Sequence, residues 1–403
     1  MKIYLKDKGY VMTADFPMYM LEMQDILDRL GKRNDSEVSF RISEYDNLQL
    51  PESLCGKEFS ADIYKLNLFA ERVEKLENAE TAAFRSLLRA YPDSGFEDML
   101  LMTWGLDSVP VYSCSSLQEE LGEAMIENDM VEELNELPDK YLEFLDREKI
   151  GRLCQDRDGG MFIDGYYCVP SCYEPLDINI EFGEPEQCFF NLLIAPAPSN
   201  GKSCKQFAQW LSLPCNKENL NDIAKDFNIG RVQDMICYDF RSALPAITAR
   251  AFGNMKRIDE LNDLALKLSE LSHDDFVKLK AVMESEDIHE ISDTLDCIER
   301  LSEYEFDMSV SDESEFGRTY LAKNLCTDFD NSVLEDTDLH DFGLSVLGRK
   351  AGGLTSYGAV LGRGQKLYSA ITVQPEQTQA ENISEDFEPE EDECEDLEMG
   401  GMT

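Results

Sequence analysis

The chain has 403 residues, 43% of them hydrophobic and 10% aromatic, so it can bury more than one sizeable core and is not disordered throughout. Its 82 acidic and 37 basic residues give a net charge of −45. This balance excludes direct binding to a nucleic-acid backbone, which needs clustered Lys and Arg, and favours a basic partner.

The first half of the chain begins with an α/β pattern. Lys2–Leu5 alternates like a short strand, and Met20–Leu30 has the apolar period of a helix that Gly31 ends. Residues 63–76 and Thr81–Ala90 then predict two packed helices. In the first of these helices, the apolar residues lie at helical spacing and form a stripe along one face: Ile63, Leu66, Phe69, Ala70, Val73 and Leu76.

The rest of this half predicts more helices and a hairpin. Leu117–Met130 is one helix, and Lys140–Leu153 is another that follows Pro138. Turn signals at Gly159 and Gly165 predict a hairpin. After the connection Ser171–Pro185, the pattern starts again: the predicted elements are strand Phe189–Ala195, helix Lys217–Phe227, strand Met235–Phe240, helices up to Asn324, and closing strands within Gly352–Val373.

The striped helix recurs. Ile258–Leu271 repeats the six apolar positions of Ile63–Leu76 after a shift of 195 residues. Short matches flank both copies in the same order, with shifts between 192 and 197, which predicts a tandem duplication. The pairs are Phe16-Pro17 with Leu213-Pro214, Asp25-Ile26 with Asp222-Ile223, Tyr45-Asp46 with Tyr238-Asp239, Leu50-Pro51 with Leu244-Pro245, Leu121-Gly122 with Phe316-Gly317, Ile150-Gly151 with Phe342-Gly343, and Gly159-Gly160 and Gly165 with Gly352-Gly353 and Gly358.

We therefore expect an α+β fold made of two tandem units, 1–183 and 184–374, and a disordered acidic tail, 375–403. In each unit small α/β subdomains flank a helical middle. The expected subdivisions are 1–58, 59–112 and 113–183, then 184–255, 256–308 and 309–374. From Glu376 to Thr403 there are 12 acidic and no basic residues, yet the rest of the chain keeps a net charge of −33.

The sequence supports no enzyme class and no cofactor. The histidines His273, His289 and His340 lie in polar segments without a nucleophile motif, so structural or surface roles are expected. The cysteines most like a metal site are Cys154, Cys168, Cys172 and Cys188, but they lack paired CxxC spacing, so no metal is expected. Glycines 353–364 fit turns between strands better than a phosphate loop.

The chain begins without a secretory signal pattern and contains no run of eighteen apolar residues, so a cytoplasmic protein with reduced thiols and no membrane contact is expected.

Two acidic stretches suggest a binding surface. Glu284–Glu315 has 13 acidic residues against Arg300, and Glu119–Glu148 has 12. Both keep an apolar period, so we expect the charges to lie on folded helices, although like charges at i,i+4 cost roughly 0.2 to 0.5 kcal/mol per pair. The candidate contact residues are Glu119, Glu120, Glu123, Glu127, Asp129, Glu132, Glu133, Glu284, Glu286, Asp287, Asp293, Asp296, Glu299, Glu303, Glu305, Asp307, Asp312, Glu313 and Glu315.

Carboxylates roughly 5 to 6 Å apart on helices approach the charge density of B-DNA, about one charge per 1.7 Å. The surface would then mimic DNA, the alternative being an acidic but functionally neutral surface. The most important group is expected to be Glu299, Glu303, Glu305 and Asp307, neutralised together.

The order of these elements, with Phe316, Gly317, Arg318 and Tyr320 as the clearest local match, resembles antirestriction proteins of the ArdA type. The resemblance covers most of residues 1–374, counted as two copies; the first copy departs at the motif, with Leu121-Gly122-Glu123-x-Met125. It implies an elongated, acidic, dimeric protein of conjugative elements. Such a protein occupies the DNA-binding groove of type I restriction-modification enzymes.

We therefore expect an inhibitor that mimics B-form DNA and protects an incoming mobile element. The alternatives are an acidic scaffold or chaperone for a basic DNA-processing protein, and an unrecognised hydrolase. The two units could form a single-chain pseudo-dimer, because the 15-residue connection can span up to about 50 Å at roughly 3.3 Å per residue. The other possibility is a homodimer with four units.

Overall fold

The computed structural model describes residues 1–368 apart from 8–9, 33–34, 44–55, 135–136, 183–186, 199–203, 254, 325–330, 335–336, 363 and 365. The predicted Tyr45-Asp46 and Leu50-Pro51 segment and the acidic tail lie outside the described residues. The helices are α1 Met20–Arg29, α2 Ile63–Lys75, α3 Asn78–Ala90, α4 Phe96–Met102, α5 Gln118–Glu127, α6 Asp139–Leu142, α7 Arg147–Asp158, α8 Lys217–Asp226, α9 Ile258–Ser269, α10 His273–Ser285, α11 Ile291–Glu299, α12 Glu313–Asn324 and α13 His340–Arg349.

The strands are β1 Lys2–Asp7, β2 Tyr10–Asp15, β3 Glu37–Ile42, β4 Phe59–Asp62, β5 Val111–Ser113, β6 Met161–Ile163, β7 Tyr166–Cys168, β8 Phe190–Pro196, β9 Gln209–Leu213, β10 Met235–Ser242, β11 Glu305–Asp307, β12 Gly352–Thr355 and β13 Gly358–Leu361. They form small antiparallel sheets beside the helices, so the fold class is α+β. We call residues 1–183 the first half and residues 184–368 the second half.

Each half has two small sheets, and the two halves arrange them in the same order. In the first half the larger sheet runs β2-β1-β3-β4, and in the second half the corresponding strands run β9-β8-β10. The later sheets run β5-β7-β6 and β11-β13-β12. The strands and helices that supply these sheets also follow one another in the same sequence in both halves, except that the first half adds β4 and α6.

The striped helices α2 and α9 lie at the centre of the two main cores, as predicted. Ile63, Leu66 and Phe69 are fully buried in α2. In α9, Ile258 and Leu261 are buried to the same extent. Burying each such side chain stabilises the fold by roughly 1.5 to 3 kcal/mol, because its apolar surface leaves water.

A buried asparagine on each striped helix holds the loop that follows the second strand. The Oδ1 atom of Asn67 accepts a hydrogen bond from the Met18 backbone N–H at 2.7 Å, and Oδ1 of Asn262 accepts one from the Cys215 N–H at 2.9 Å. Both loops contain a cis proline, at Phe16-Pro17 and Leu213-Pro214. The matched dipeptides Phe16-Pro17 and Leu213-Pro214 therefore lie in loops that are held in the same way.

Paired glycines allow two helix crossings with very close backbones. A Cβ atom added to Gly122 in α5 would lie 1.9 Å from the Arg147 carbonyl oxygen, and one added to Gly151 in α7 would lie 2.0 Å from that of Gln118. In the second half, a Cβ on Gly343 would lie 1.9 Å from the carbonyl oxygen of Glu313. Only glycine permits such an approach.

The structure divides two segments that were expected to be helical. The predicted helix Lys140–Leu153 is split into α6 and α7, because the Asp146 side chain caps a new helix by accepting a hydrogen bond from the Lys149 N–H at 3.1 Å. The acidic stretch Glu284–Glu315 is not one helix either. Asp287 has a left-handed φ of 57° that separates α10 from α11, and the short strand β11 follows, paired with β13.

Candidate partner-binding surface

The predicted acidic residues of the first half lie on or just after α5, on the side away from the core. Leu121 and Met125 are buried and Gly122 packs against α7, so the acidic positions of the helix face solvent. All seven predicted carboxylates are exposed: Glu119, Glu120, Glu123, Glu127, Asp129, Glu132 and Glu133. Crossing two helices at a glycine pair thus fixes the direction in which the charges point.

Few cations compensate this surface. Among the described residues, Glu123 alone of the seven has an ion pair, at 3.9 Å from Arg147. Hydrogen bonds from the Ser115 hydroxyl and backbone N–H lower the pKa of Glu120. This carboxylate is therefore ionised at neutral pH.

In the second half, three of the predicted acidic residues lie exposed on α11. Ile291, Thr294 and Cys297 point into the protein, whereas Asp293, Asp296 and Glu299 are exposed. Among the described residues, these three carboxylates have no ion pair. Glu303, just after the helix, is also exposed.

Several other predicted contact residues are instead bound within the second half. Glu305 accepts a hydrogen bond from the Leu367 N–H at 2.9 Å, and Asp307 accepts one from the Tyr368 hydroxyl at 2.5 Å. Burial opposes ionisation of Asp307, but bonds from Ser309 and Tyr368 outweigh it and lower its pKa. Both carboxylates hold the end of the described chain against β11, so neutralising them would disturb the fold.

The remaining predicted residues of this half also contact neighbouring groups of the protein. Glu284 accepts from the Ser356 N–H at 2.9 Å, Glu286 from the Tyr304 hydroxyl at 2.6 Å, and Glu315 from the Ser311 N–H at 2.7 Å. Three more carboxylates contact a histidine or cap a helix: Asp287 lies 2.9 Å from His289, Glu313 lies 3.9 Å from His340, and Asp312 accepts from the Glu315 N–H at 2.7 Å.

The motif residues of α12 have a packing role. Phe316 is fully buried, and Gly317 lies where an added Cβ would approach the Leu339 carbonyl oxygen to 2.8 Å. The Arg318 Nε–H donates to the carbonyl of Leu334 at 2.9 Å, and Tyr320 is buried. These side chains hold α12 on its neighbours and leave little surface for a partner.

The histidines and cysteines show no arrangement for chemistry in the part of the chain that the structure describes. His273 lies 3.3 Å from Asp28, and contacts with acceptors raise the pKa of both His289 and His340. Cys154, Cys168 and Cys188 are buried and Cys172 is exposed. Within the described ranges, no group of three or more His, Cys, Asp or Glu residues could hold a metal ion.

Sequence reasoning missed one cluster of charges, which lies between the halves. Lys280 of α10 is buried and lies 2.9 Å from Asp25 and 2.7 Å from Asp28, both on α1. The available signal was two lysines, Lys278 and Lys280, within the apolar segment Val277–Met283, but nothing in the sequence marked Asp25 and Asp28 among 82 acidic residues.

No protein-family model matches the chain, and no curated protein sequence matches it either. None of the described helices is both long enough and apolar enough to cross a membrane. The function is therefore proposed from the residues and their arrangement.

Proposed function

We propose that the protein is an antirestriction protein that mimics B-form DNA and occupies the DNA-binding groove of a type I restriction-modification enzyme. The observation that carries the proposal is the exposed, nearly cation-free carboxylate surface on α5 and α11. A functionally neutral surface would have mixed charges, because like charges side by side destabilise a helix. The target enzyme is cytoplasmic, and we expect the protein there.

The spacing of these charges supports mimicry of a phosphate backbone. Glu119, Glu120, Glu123 and Glu127 occupy about 12 Å of α5 at roughly 1.5 Å per residue, or one charge per about 4 Å. Asp293, Asp296 and Glu299 are three residues apart on α11, about 4.5 Å along its axis. One strand of B-DNA carries a charge about every 3.4 Å. Each helix therefore approximates one strand.

We also propose that the two halves are copies of one ancestral unit. The support is the shared strand order, the equivalent Asn67 and Asn262 contacts, and the glycine crossings in both halves. In this correspondence α12 is the counterpart of α5, but Glu313 and Glu315 of α12 are bound within the second half, so the exposed carboxylates of that half lie on α11 instead.

A competition assay tests the mimicry. Labelled duplex DNA is bound to a purified type I restriction-modification enzyme, and increasing protein should displace it, with an affinity that falls steeply in salt. Asp293→Asn, Asp296→Asn and Glu299→Gln together should reduce the slope of log affinity against log salt by up to about 2.7, at about 0.9 per lost contact.

The matched control removes the same number of charges from other exposed positions of the second half: Asp226→Asn, Asp263→Asn and Glu270→Gln. It should displace DNA almost as well as the parent protein. Absence of displacement, or displacement independent of salt, would contradict the proposal. Deletion of Glu376–Thr403 separates it from the scaffold alternative, because mimicry by the folded halves predicts only a small loss.

A further inference from the structure

Helix α1 belongs to the first half but docks on the second. Its Leu21 side chain is 1% exposed and packs in the core of the second half. Two residues of the second half flank it: the Arg241 guanidinium of β10 lies 3.2 Å from Glu22 and stacks over Tyr19, which in turn contacts Trp210.

The centre of this contact is a fully paired ionic cluster. Asp25 Oδ1 accepts hydrogen bonds from Lys280 Nζ at 2.9 Å and from the Tyr357 hydroxyl at 2.7 Å, and its Oδ2 lies 2.8 Å from Arg29. Asp28 accepts from Lys280 at 2.7 Å. Burial alone would raise the pKa of Asp25, but Lys280 and Arg29 outweigh it and hold the pKa below its usual value.

Such a cluster favours one arrangement of the two halves. Lys280 has a side-chain exposure of only 1%, so sliding α1 along α10 would leave its charge buried and unpaired. An unpaired buried charge is strongly unfavourable, whereas a well-paired one adds little net stability. The contact therefore acts chiefly by selecting a single geometry.

If the halves are copies of one unit, the second half has a counterpart of α1 and the first half has a counterpart of the surface on which α1 docks. Helix α8 corresponds to α1, with Glu218 at the position of Leu21 and Lys225 at that of Asp28. In α8 these positions are exposed, and Lys225 pairs with Asp222 on its own helix at 2.9 Å. At these two positions α8 thus lacks the apolar side chain and the second carboxylate that α1 uses for docking.

The first half has a surface that corresponds to the α1-binding surface of the second half, and its charges are also paired internally. Arg85 of α3 occupies the position of Lys280, and Asp164 in the β6–β7 turn occupies that of Tyr357. Arg85 donates to Asp164, so its charge is already paired within the first half. The cation that corresponds to Lys280 is therefore already paired before an incoming acidic helix could reach it.

We propose that α1 and the α10–Tyr357 surface are a head-to-tail docking pair, used once within the chain. We further propose that charge pairing within α8 and within the Arg85–Asp164 surface prevents the same contact from adding a second copy of the chain. A head-to-tail contact that does not close otherwise grows into filaments, and internal charge pairing is a form of discrimination against that association. The inference rests on the proposed duplication, not on DNA mimicry.

A cleavable full-length protein tests the docking. A specific protease site is inserted between Glu184 and Pro185, the folded protein is cut, and its mass is measured by sedimentation. The cut parent should stay together at micromolar concentration, with a mass near 45.9 kDa. Lys280→Met should weaken the association at least about a hundredfold, and Lys267→Met, an exposed lysine of the same half, should not.

Tyr357→Phe is the milder variant, since it removes one hydroxyl and keeps the ring. It should weaken the association about tenfold, because one bond to a charged acceptor is lost. Separation of the cut parent would overturn the docking pair. Equal retention in Lys280→Met and Lys267→Met, with unchanged circular dichroism, would overturn the role of Lys280, and full retention in Tyr357→Phe would overturn that of the hydroxyl.

The proposal that charge pairing prevents association is tested in the uncut chain, with a variant that is expected to self-associate. The triple variant Glu218→Leu, Lys225→Asp and Asp164→Asn removes the internal pairs and supplies an apolar side chain and a free carboxylate. Its mass should rise with concentration above 45.9 kDa, while the parent stays at that mass. A triple variant that remains at the parent's mass at every concentration would overturn the proposal that these pairs prevent association.

Discussion

Replacing Gly343 by alanine should separate α12 from α13. The added Cβ would lie 1.9 Å from the Glu313 carbonyl oxygen, whereas ordinary contact begins near 3.4 Å. The helices must therefore move apart by about 1.5 Å, since a backbone oxygen cannot rotate away as a side chain can. Overpacking of this kind costs roughly 1 to 3 kcal/mol, and we expect about 3 kcal/mol because the clash is between backbones.

The same helix contains a matched control. Gly348 has no atom within 4 Å of an added Cβ and has no left-handed φ, so Gly348→Ala should stabilise the protein by about 0.5 to 1 kcal/mol, the helix preference of alanine over glycine. Urea unfolding by circular dichroism, with hydrogen exchange of the α12 and α13 amides, measures both. Equal effects of the two variants would refute the argument from close approach.

Two further predictions concern buried polar groups. Asn262→Ala leaves the Cys215 N–H without its acceptor and should reduce the free energy of unfolding by about 1 to 3 kcal/mol, whereas the exposed Asn221→Ala should change it by less than about 0.5 kcal/mol; urea unfolding decides. The pKa of Asp25 is lower in the folded protein than its unfolded value of 3.8. Its ion pair therefore stabilises the fold fully above pH 3.8, and this stabilisation is lost as the pH falls through the folded pKa. The stability difference between the parent and Asp25→Asn should therefore vanish in strong acid, and a difference that persists unchanged there would contradict the assigned ion pair with Lys280.

The sequence predicted those parts of the fold that depend on local pattern. The stripes of α2 and α9 were visible because each helix buries one face, and Met20–Arg29 was visible for the same reason. Gly31 ends α1 with a φ of 65°, as predicted for a left-handed glycine. Short strands such as β5 were not predicted, because three residues carry too little periodicity.

The surface was harder to predict than the core. A sequence does not distinguish a carboxylate that faces solvent from one that accepts a buried hydrogen bond. Glu299 and Glu305 belong to one acidic run, yet Glu299 is exposed and Glu305 holds the Leu367 backbone. The buried Asp25 likewise depends on Lys280, which lies 255 residues away in the chain. Such pairs are decided by tertiary packing.

Charges spread over several helices, together with a fixed contact between the two halves, suit a mimic of a long, regular ligand. If each carboxylate contributes a single weak contact, no one surface substitution removes binding, as the proposal of mimicry requires. The relative placement of α5 and α11 then becomes the property on which all the contacts depend, because charges on both helices must meet the same groove. Selecting one arrangement through Asp25, Asp28 and Lys280 limits the freedom that binding would otherwise have to restrict. A flexible tether between the halves would present the same charges but lose more entropy on binding.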